Sequence, residues 1–340
     1  MLKQFLPACA LALTVSSHAE QAYQAPLVTD SLLLDIAHNT VQSIIVGERG
    51  HILSSEDGIQ WQQSSVPTVS TLTAVAMVDE HAWVVGHDAV ILHKVAGDTQ
   101  WQRQYFDPEL EKPLLDVLFF DTQHGIAIGA YGTFFRTRDG GANWQSERHA
   151  EFLSEDDQAY LNDIRQESED FYQQELSSIL PHLNRVSRDG DRLWLAGEMG
   201  LLAYSDDQGS NWQRMELDYY GSFFDIRRTA AGVLAAGLRG TLFRLDEASE
   251  QWQRVPSGSQ ASLNSIVTDS ALNEALVVGN NGTLVCVTPT AQEQVQLADN
   301  DAVVNATVFK GHLITVTAGG VQTLPLDANS STCKKVREQL

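Results

Sequence analysis

The chain has 340 residues, 43% of them hydrophobic and 19% charged, which supplies a core and argues against extended disorder. Its formal net charge of −22 excludes a nucleic-acid binder, whose phosphate contacts need a clustered basic surface. Length alone allows two average domains or one all-β domain of repeated units.

Residues 1–19 read as a secretory leader, with Lys3, an apolar run over 5–15 and the small-residue ending Ser17-His18-Ala19. The expected mature domain therefore spans 20–340 and is exported, to the periplasm. Cys9, in Leu6-Pro7-Ala8-Cys9, is a poor acylation site because too little apolar sequence precedes it. No later apolar run reaches the roughly 18 residues of a membrane-spanning helix, so no transmembrane segment is expected in the mature chain. Two cysteines remain after the leader, Cys286 and Cys333; an intramolecular disulfide and two separate thiols both fit the sequence.

From residue 32 onward one pattern recurs, over 32–61, 72–101, 114–144, 183–212, 223–252, 263–290 and 303–326. Each copy opens with alternating apolar residues, as in Leu115-Asp116-Val117-Leu118-Phe119, and passes a polar turn into a second apolar run ending in Gly, as in Ser43-Ile44-Ile45-Val46-Gly47. A second glycine follows three residues later in most copies (Gly50, Gly132, Gly200, Gly240, Gly282), giving a Gly-x-x-Gly turn in which glycine supplies the positive φ of a tight hairpin. Gly320 stands in the last copy without its partner.

Third strands run into Ser/Thr-x-Asp-x-Gly-x-x-Trp, an Asp-box. Two copies are complete, with Asp139 and Trp144 in one and Asp207 and Trp212 in the other; 54–61 is a near copy with Glu56 in the acidic place and Trp61 at its end. The Asp is expected to accept backbone N–H bonds within the turn and the Trp to bury its ring between units, so these residues read as structural.

The strand-ending positions Gly47, Gly86, Gly129, Gly197, Gly237, Gly279 and Thr317 fall 39, 43, 68, 40, 42 and 38 residues apart. Four short antiparallel strands per unit, repeated seven times, lose their exposed edges best by radial closure, so the expected fold is an all-β, seven-bladed β-propeller of four-stranded blades. Residues 21–27 are placed to supply the outer strand of the last blade, with 331–338 as a rival. The interval of 68 holds an insertion between blades three and four, about 151–180, whose Tyr160, Leu161, Ile164, Phe171, Tyr172, Leu176 and Ile179 predict one or two amphipathic helices. It carries nine carboxylates and one basic residue, Arg165, between Glu151 and Glu175, and reads as a solvated rim element or as a lid or docking element.

In such a blade the turn between the second and third strands shares a face with the connection to the next blade, so the insertion is expected beside the Gly-x-x-Gly turns and across the ring from the Asp-boxes. Loops that meet over a rigid scaffold carry function. The candidate contact residues on that face are Arg49, His87, Asp88, Tyr131, Glu198, Arg239 and Asn281, with Tyr219 and Tyr220 from the connection before blade five. Arg49 and Arg239 rank first, because a guanidinium grips a carboxylate with two parallel donors.

No G-x-S-x-G elbow, H-E-x-x-H pair, P-loop or dinucleotide fingerprint occurs, and the ten histidines lack metal-ligand spacing, so no catalytic residue, metal or cofactor is expected. Asp-box repeats also occur in glycan-acting enzymes and lectins; Arg49, Arg239, Tyr131 and Asp88 sketch such a site, without the early Arg-Ile-Pro type segment of sialidases.

The order Leu-x-x-Val, apolar run to Gly, Gly-x-x-Gly turn and Thr-x-Asp-Gly-Gly-x-x-Trp over 114–144 resembles the photosystem II assembly and stability factors and their bacterial relatives, across about 25–326. The resemblance implies a seven-bladed propeller in an exported compartment, without catalysis, that binds a membrane-protein subunit during assembly through an arginine-lined face, to which Arg49 and Arg239 correspond by turn type. The acidic insertion and ordinary leader suit a non-photosynthetic bacterium, and there the resemblance to bacterial relatives implies as partner another envelope membrane protein or a transporter complex, of which a resistance-nodulation-division transporter is one.

Overall fold

The computed structural model describes residues 21–268, 274–297 and 300–326; the expected leader 1–19 with Cys9, the alternative closing segment 331–338 and Cys333 lie outside the described residues. Blade one consists of β1 (Leu33–His38), β2 (Ser43–Gly47), β3 (Ile52–Ser55) and β4 (Gln62–Gln63), hydrogen-bonded antiparallel in chain order. Every residue of β2 is buried, since its β-branched side chains face a neighbouring blade on each side. Being outermost, β4 is short and polar.

Five more sheets repeat this order, and a seventh has three strands, Val303–Phe309, His312–Thr317 and Gly320–Pro325. The first strands of successive blades touch one another all the way round, β1 meeting Leu72–Val78 on one side and Val303–Phe309 on the other, so they line the axis of a seven-bladed propeller. Apolar side chains form seven clusters, one between each pair of neighbouring blades.

Closure is made by side chains. Leu33, Ile45 and Leu53 of blade one pack with Phe309, Ile314 and Val316 of blade seven. Across the same seam the Asn305 amide donates to Asp35, the Lys310 ammonium to the Val41 carbonyl at 3.0 Å, and the Thr323 hydroxyl to the Gly58 carbonyl at 2.9 Å. Residues 21–27 do not form the expected outer strand of blade seven. Instead Ala22 N–H donates to the Val66 carbonyl at 3.0 Å and Gln63 Nε2 to the Tyr23 carbonyl at 2.9 Å, along the outer edge of blade one. The Ala22 methyl is buried there among Ile44, Ile52 and Val66, a dry site that the half-exposed Gly320–Pro325 strand does not offer.

The insertion forms two helices, α1 (Glu155–Glu167) and α2 (Glu169–Ile179). Ser154 and Ser168 cap them, each hydroxyl accepting a backbone N–H, from Asp157 at 3.2 Å and Phe171 at 3.3 Å. Leu161, Tyr172 and Leu176 join Phe152 and Trp212 in the cluster between blades three and four. Tyr160 and Phe171, expected on the same apolar face, point outward and are 51% and 67% exposed.

Candidate functional site

Strand register fixes the two faces of the ring. Leu33 pairs with Gly47 and His38 with Ser43, which pairs in turn with Ser55 at the start of the Asp57 turn. First strands therefore begin on the face of the Gly-x-x-Gly turns and end on the face of the Asp turns. In every blade the register slips at the second residue of the first strand or opposite it, a bulge that turns that side chain toward the axis. The seven residues so placed, Leu34, Thr73, Leu115, Asn184, Phe224, Asn264 and Val304, line the channel mouth on the Gly-x-x-Gly face together with Arg185, around a mostly apolar hollow of about 310 Å³.

One residue deeper the channel is polar: Asp35, Ala74, Asp116, Arg185, Asp225, Ser265 and Asn305 occupy equivalent places. The Arg185 guanidinium lies 3.3 Å from Asp116 and 3.6 Å from Asp35. Asp35, Asp116 and Asp225 each accept a backbone N–H from the following blade, those of Val75 at 2.9 Å, Val186 at 2.7 Å and Ile266 at 2.8 Å. The ring thus stitches neighbouring blades with charge-assisted bonds. Burial pushes the Asp116 carboxyl up to about 6 against the pull of Arg185, whose own pKa rises because Asp116 and Asp35 outweigh its burial. Below the ring a cavity of about 430 Å³ opens toward the Asp-turn face, with Arg188, Arg227 and Arg228 in its wall. Arg227 sits 3.2 Å from Asp225, and Arg228 is held by Asp189 and Glu247, so two of these three cations are already balanced.

The turns themselves follow one design. Gly47 is extended, and a Cβ there would meet the Leu32 carbonyl at 2.3 Å; Gly50, at φ +73°, would bring one to 2.3 Å from the Thr68 carbonyl. Between them Arg49 has φ 52°, and the same left-handed conformation recurs at Asp88, Tyr131, Met199, Arg239 and Asn281. The first glycine thus serves a close approach, while the positive φ belongs to the last two turn residues. Arg49 stands 3.8 Å from Glu48 with its side chain 74% exposed, a contact worth little in water. Arg239 is exposed and makes no ion pair among the described residues. The two arginines rise from blades one and five, so they would touch different parts of a ligand.

His87 is exposed, and Asp88 accepts the Ser70 hydroxyl at 2.5 Å. Asn281 is exposed and its carbonyl accepts from Gln296. Glu198 lies 3.5 Å from His182, whose ring meets Tyr131 edge-on at 4.5 Å. Tyr219 packs on Phe223 with ring centroids 5.0 Å apart, and Tyr220 is 84% exposed. The structure therefore brings together Tyr131, Glu198, Tyr219 and Tyr220 on blades three to five and leaves Arg49, His87, Asp88, Arg239 and Asn281 spread over the others. None of Arg49, Asp88, Tyr131 and Arg239 lines the channel mouth, so the glycan-site sketch is not assembled there.

Met199, the turn residue beside Glu198, belongs to the first group: it is 51% exposed and its carbonyl accepts from Arg214 at 3.2 Å. Arg214 also donates to the Phe152 carbonyl at 2.5 Å, tying the base of the insertion to blade four. Gly132 N–H donates to the Pro181 carbonyl at 2.8 Å, and α2 packs on the Tyr131 turn. The insertion stands on the Gly-x-x-Gly face.

On the other face Asp139 accepts from Asn143 N–H at 2.9 Å and from the Thr137 hydroxyl at 2.9 Å, and Asp207 repeats this with Asn211 and Ser205. In blade one the acid in this role is Asp57, which accepts from Ile59 and Gln60, and not Glu56: the copy is one residue shorter than the others. Trp144 meets Phe119 edge-on at 5.9 Å, Trp212 is buried against Phe152, and Trp61 packs into the seam between blades seven and one. Cys286 is buried in the strand Thr283–Val287. Among the described residues no group of three or more His, Cys, Asp or Glu is placed to hold a metal ion, and no helix is long and apolar enough to cross a membrane.

These features have close parallels. The photosystem II assembly lipoprotein Ycf48 of Synechococcus sp. (strain CC9902) is 29% identical over 161 residues, which take in 46% of this chain and 40% of that one, so the match spans less than half of that relative. A solved structure of YCF48 bound to D1 peptide superposes with a TM-score of 0.65 at 17% identity, covering 91% of this chain and 96% of that one. YCF48 from Cyanidioschyzon merolae gives 0.66 at 18% identity, covering 92% and 99%. At such identities the two structures speak for the fold alone. The family model described as photosynthesis system II assembly factor YCF48 matches residues 15–111 and 104–222, more than half of the 340 residues, and the chain belongs to that family.

Proposed function

We propose that this chain is a non-enzymatic, exported assembly factor that holds a segment of an envelope membrane protein on its Gly-x-x-Gly face. The reading rests on one observation: seven bulges open a mostly apolar mouth on that face, and the exposed Tyr131, Met199 and Tyr220 stand on the same face. Exposed apolar groups gathered on one side of a soluble scaffold mark an interaction surface. Membership of an assembly-factor family, and a relative solved with a peptide, support the same role. The leader at 1–19 supports a periplasmic setting, and a transporter of the resistance-nodulation-division type is our candidate client.

Capture of partners from envelope extracts, with the parent chain and with Arg49→Glu/Arg239→Glu, tests this. A membrane protein retained by the parent and lost by the variant is expected. Equal retention by both would remove the arginines from the contact, and turnover of a glycan panel would replace the scaffold by an enzyme.

A further inference from the structure

The Gly-x-x-Gly face is divided in charge. Beside blades three to five stands the insertion, with nine carboxylates and one arginine between Glu151 and Glu175. That arginine is already spent: Arg165 pairs with Glu169 at 2.8 Å and lies over the Tyr172 ring at 4.7 Å. Asp156, Asp163 and Glu167 are exposed on α1, and Glu216 and Asp218 add charge in the connection that carries Tyr219 and Tyr220. An apolar strip runs through this acidic ground. It passes from Tyr131 by His182 and Glu198 to Met199, whose neighbour Gly200 donates to the Gly221 carbonyl at 2.8 Å, and so to Tyr220. Phe224, three residues on from Gly221, leads into the channel mouth. Phe171, 67% exposed on α2, is apolar surface left outward on the insertion itself.

Resting on the reading of this face as a partner-binding surface, we infer that the strip takes an extended, lysine- or arginine-bearing segment with apolar side chains. Its cations lie against the insertion and its apolar groups against Tyr131, Met199, Tyr220 and the mouth. Charge complementarity selects this occupant: Lys112, over the Tyr131 ring at 5.7 Å, and Arg148, bonded to Gln173 of α2, are outnumbered by the carboxylates of the insertion with Glu198, Glu216 and Asp218, so an acidic peptide or an anionic bilayer would meet net like charge and a basic segment is steered to the strip. The arginines of the channel do not reverse this: Arg185, at the mouth, is held by Asp116 and Asp35, while Arg188, Arg227 and Arg228 line the cavity that opens toward the opposite face.

Two synthetic peptides of equal length and identical apolar residues, one with lysine and the other with glutamate at every charged position, test the inference by fluorescence anisotropy on the folded mature chain. The lysine peptide is expected to bind about tenfold or more tightly than the glutamate peptide and to weaken with added salt. Its affinity should fall several-fold in Asp156→Asn/Asp163→Asn/Glu167→Gln and again in Tyr131→Asn/Met199→Asn/Tyr220→Ser. Asparagine tolerates the left-handed backbone at 131 and 199, and circular dichroism checks that both variants fold. Equal binding of the two peptides, preference for glutamate, binding of neither, or indifference to either variant overturns the inference. The assay needs no native client, so its failure leaves the assembly role standing on Arg49 and Arg239, while failure of the capture experiment leaves the peptide preference to be read by itself.

Discussion

Two residues show how tightly backbone and charge constrain this ring. Gly50 combines φ +73° with a carbonyl 2.3 Å from where a Cβ would sit, so Gly50→Ala must move the 64–71 connection. The expected loss is about 2–4 kcal/mol in denaturant unfolding. Arg185→Met leaves Asp116 and Asp35 buried without their shared cation, a loss of about 3–5 kcal/mol near neutral pH. Asp116 already holds its proton up to about 6, above its unfolded value, and losing Arg185 raises it further. A raised folded pKa contributes stability below the unfolded value that is lost as pH rises through the folded one. The deficit of Arg185→Met, followed as Tm against pH, should therefore shrink on acidification; a constant or growing deficit would show that Asp116 stays ionised.

At the scale of elements, the Asp turns carry the opposite sign. The Asn143 side chain and backbone N–H, with the Thr137 hydroxyl, hold the Asp139 carboxyl below the usual carboxylate range. Its contribution is present above the unfolded pKa and disappears as pH falls through the depressed folded value. Asp139→Asn should thus lower Tm at neutral pH, with the gap from the parent closing in acid. The insertion is a second semi-independent element, held by Leu161, Tyr172, Leu176 and the Arg214 bonds. Leu176→Ala should cost about 2–3 kcal/mol of helix docking, read as faster hydrogen exchange in α1 and α2 while blade amides stay protected. Much of this level was legible in the sequence. The period, the glycine turns and the insertion follow from the spacing of Gly47, Gly86 and their counterparts and from the apolar pattern after Glu151. Asp57 was obscured because its copy is a residue short, and alignment on Trp61 shifted Glu56 into its place. The bulge and the polar ring leave only a Leu-x-Asp or Phe-x-Asp trace at 33–35, 114–116 and 223–225, and Arg185 breaks even that trace. Tyr160 and Phe171 show the limit of helical periodicity, which counts apolar residues without saying which ones remain in water.

For the whole molecule, seven repeats become one body because blade seven meets blade one through Phe309, Ile314 and the Asn305–Asp35 bond. No sequence period could show that residues 21–27 would lie along the edge of blade one, since that choice depends on a pocket formed only once blades one and two pack together. Closure also gathers the bulged mouth, the left-handed turns and the acidic helices on one face and the Asp turns on the other. Which of these faces meets a partner decides between an assembly surface and a purely structural one. Photo-crosslinkers placed in the native envelope at Tyr131, at Tyr220 and, across the ring, at the exposed Ile59 decide this most directly. Adducts with one membrane protein from 131 and 220 and none from 59 are predicted; adducts from 59 alone would contradict the account.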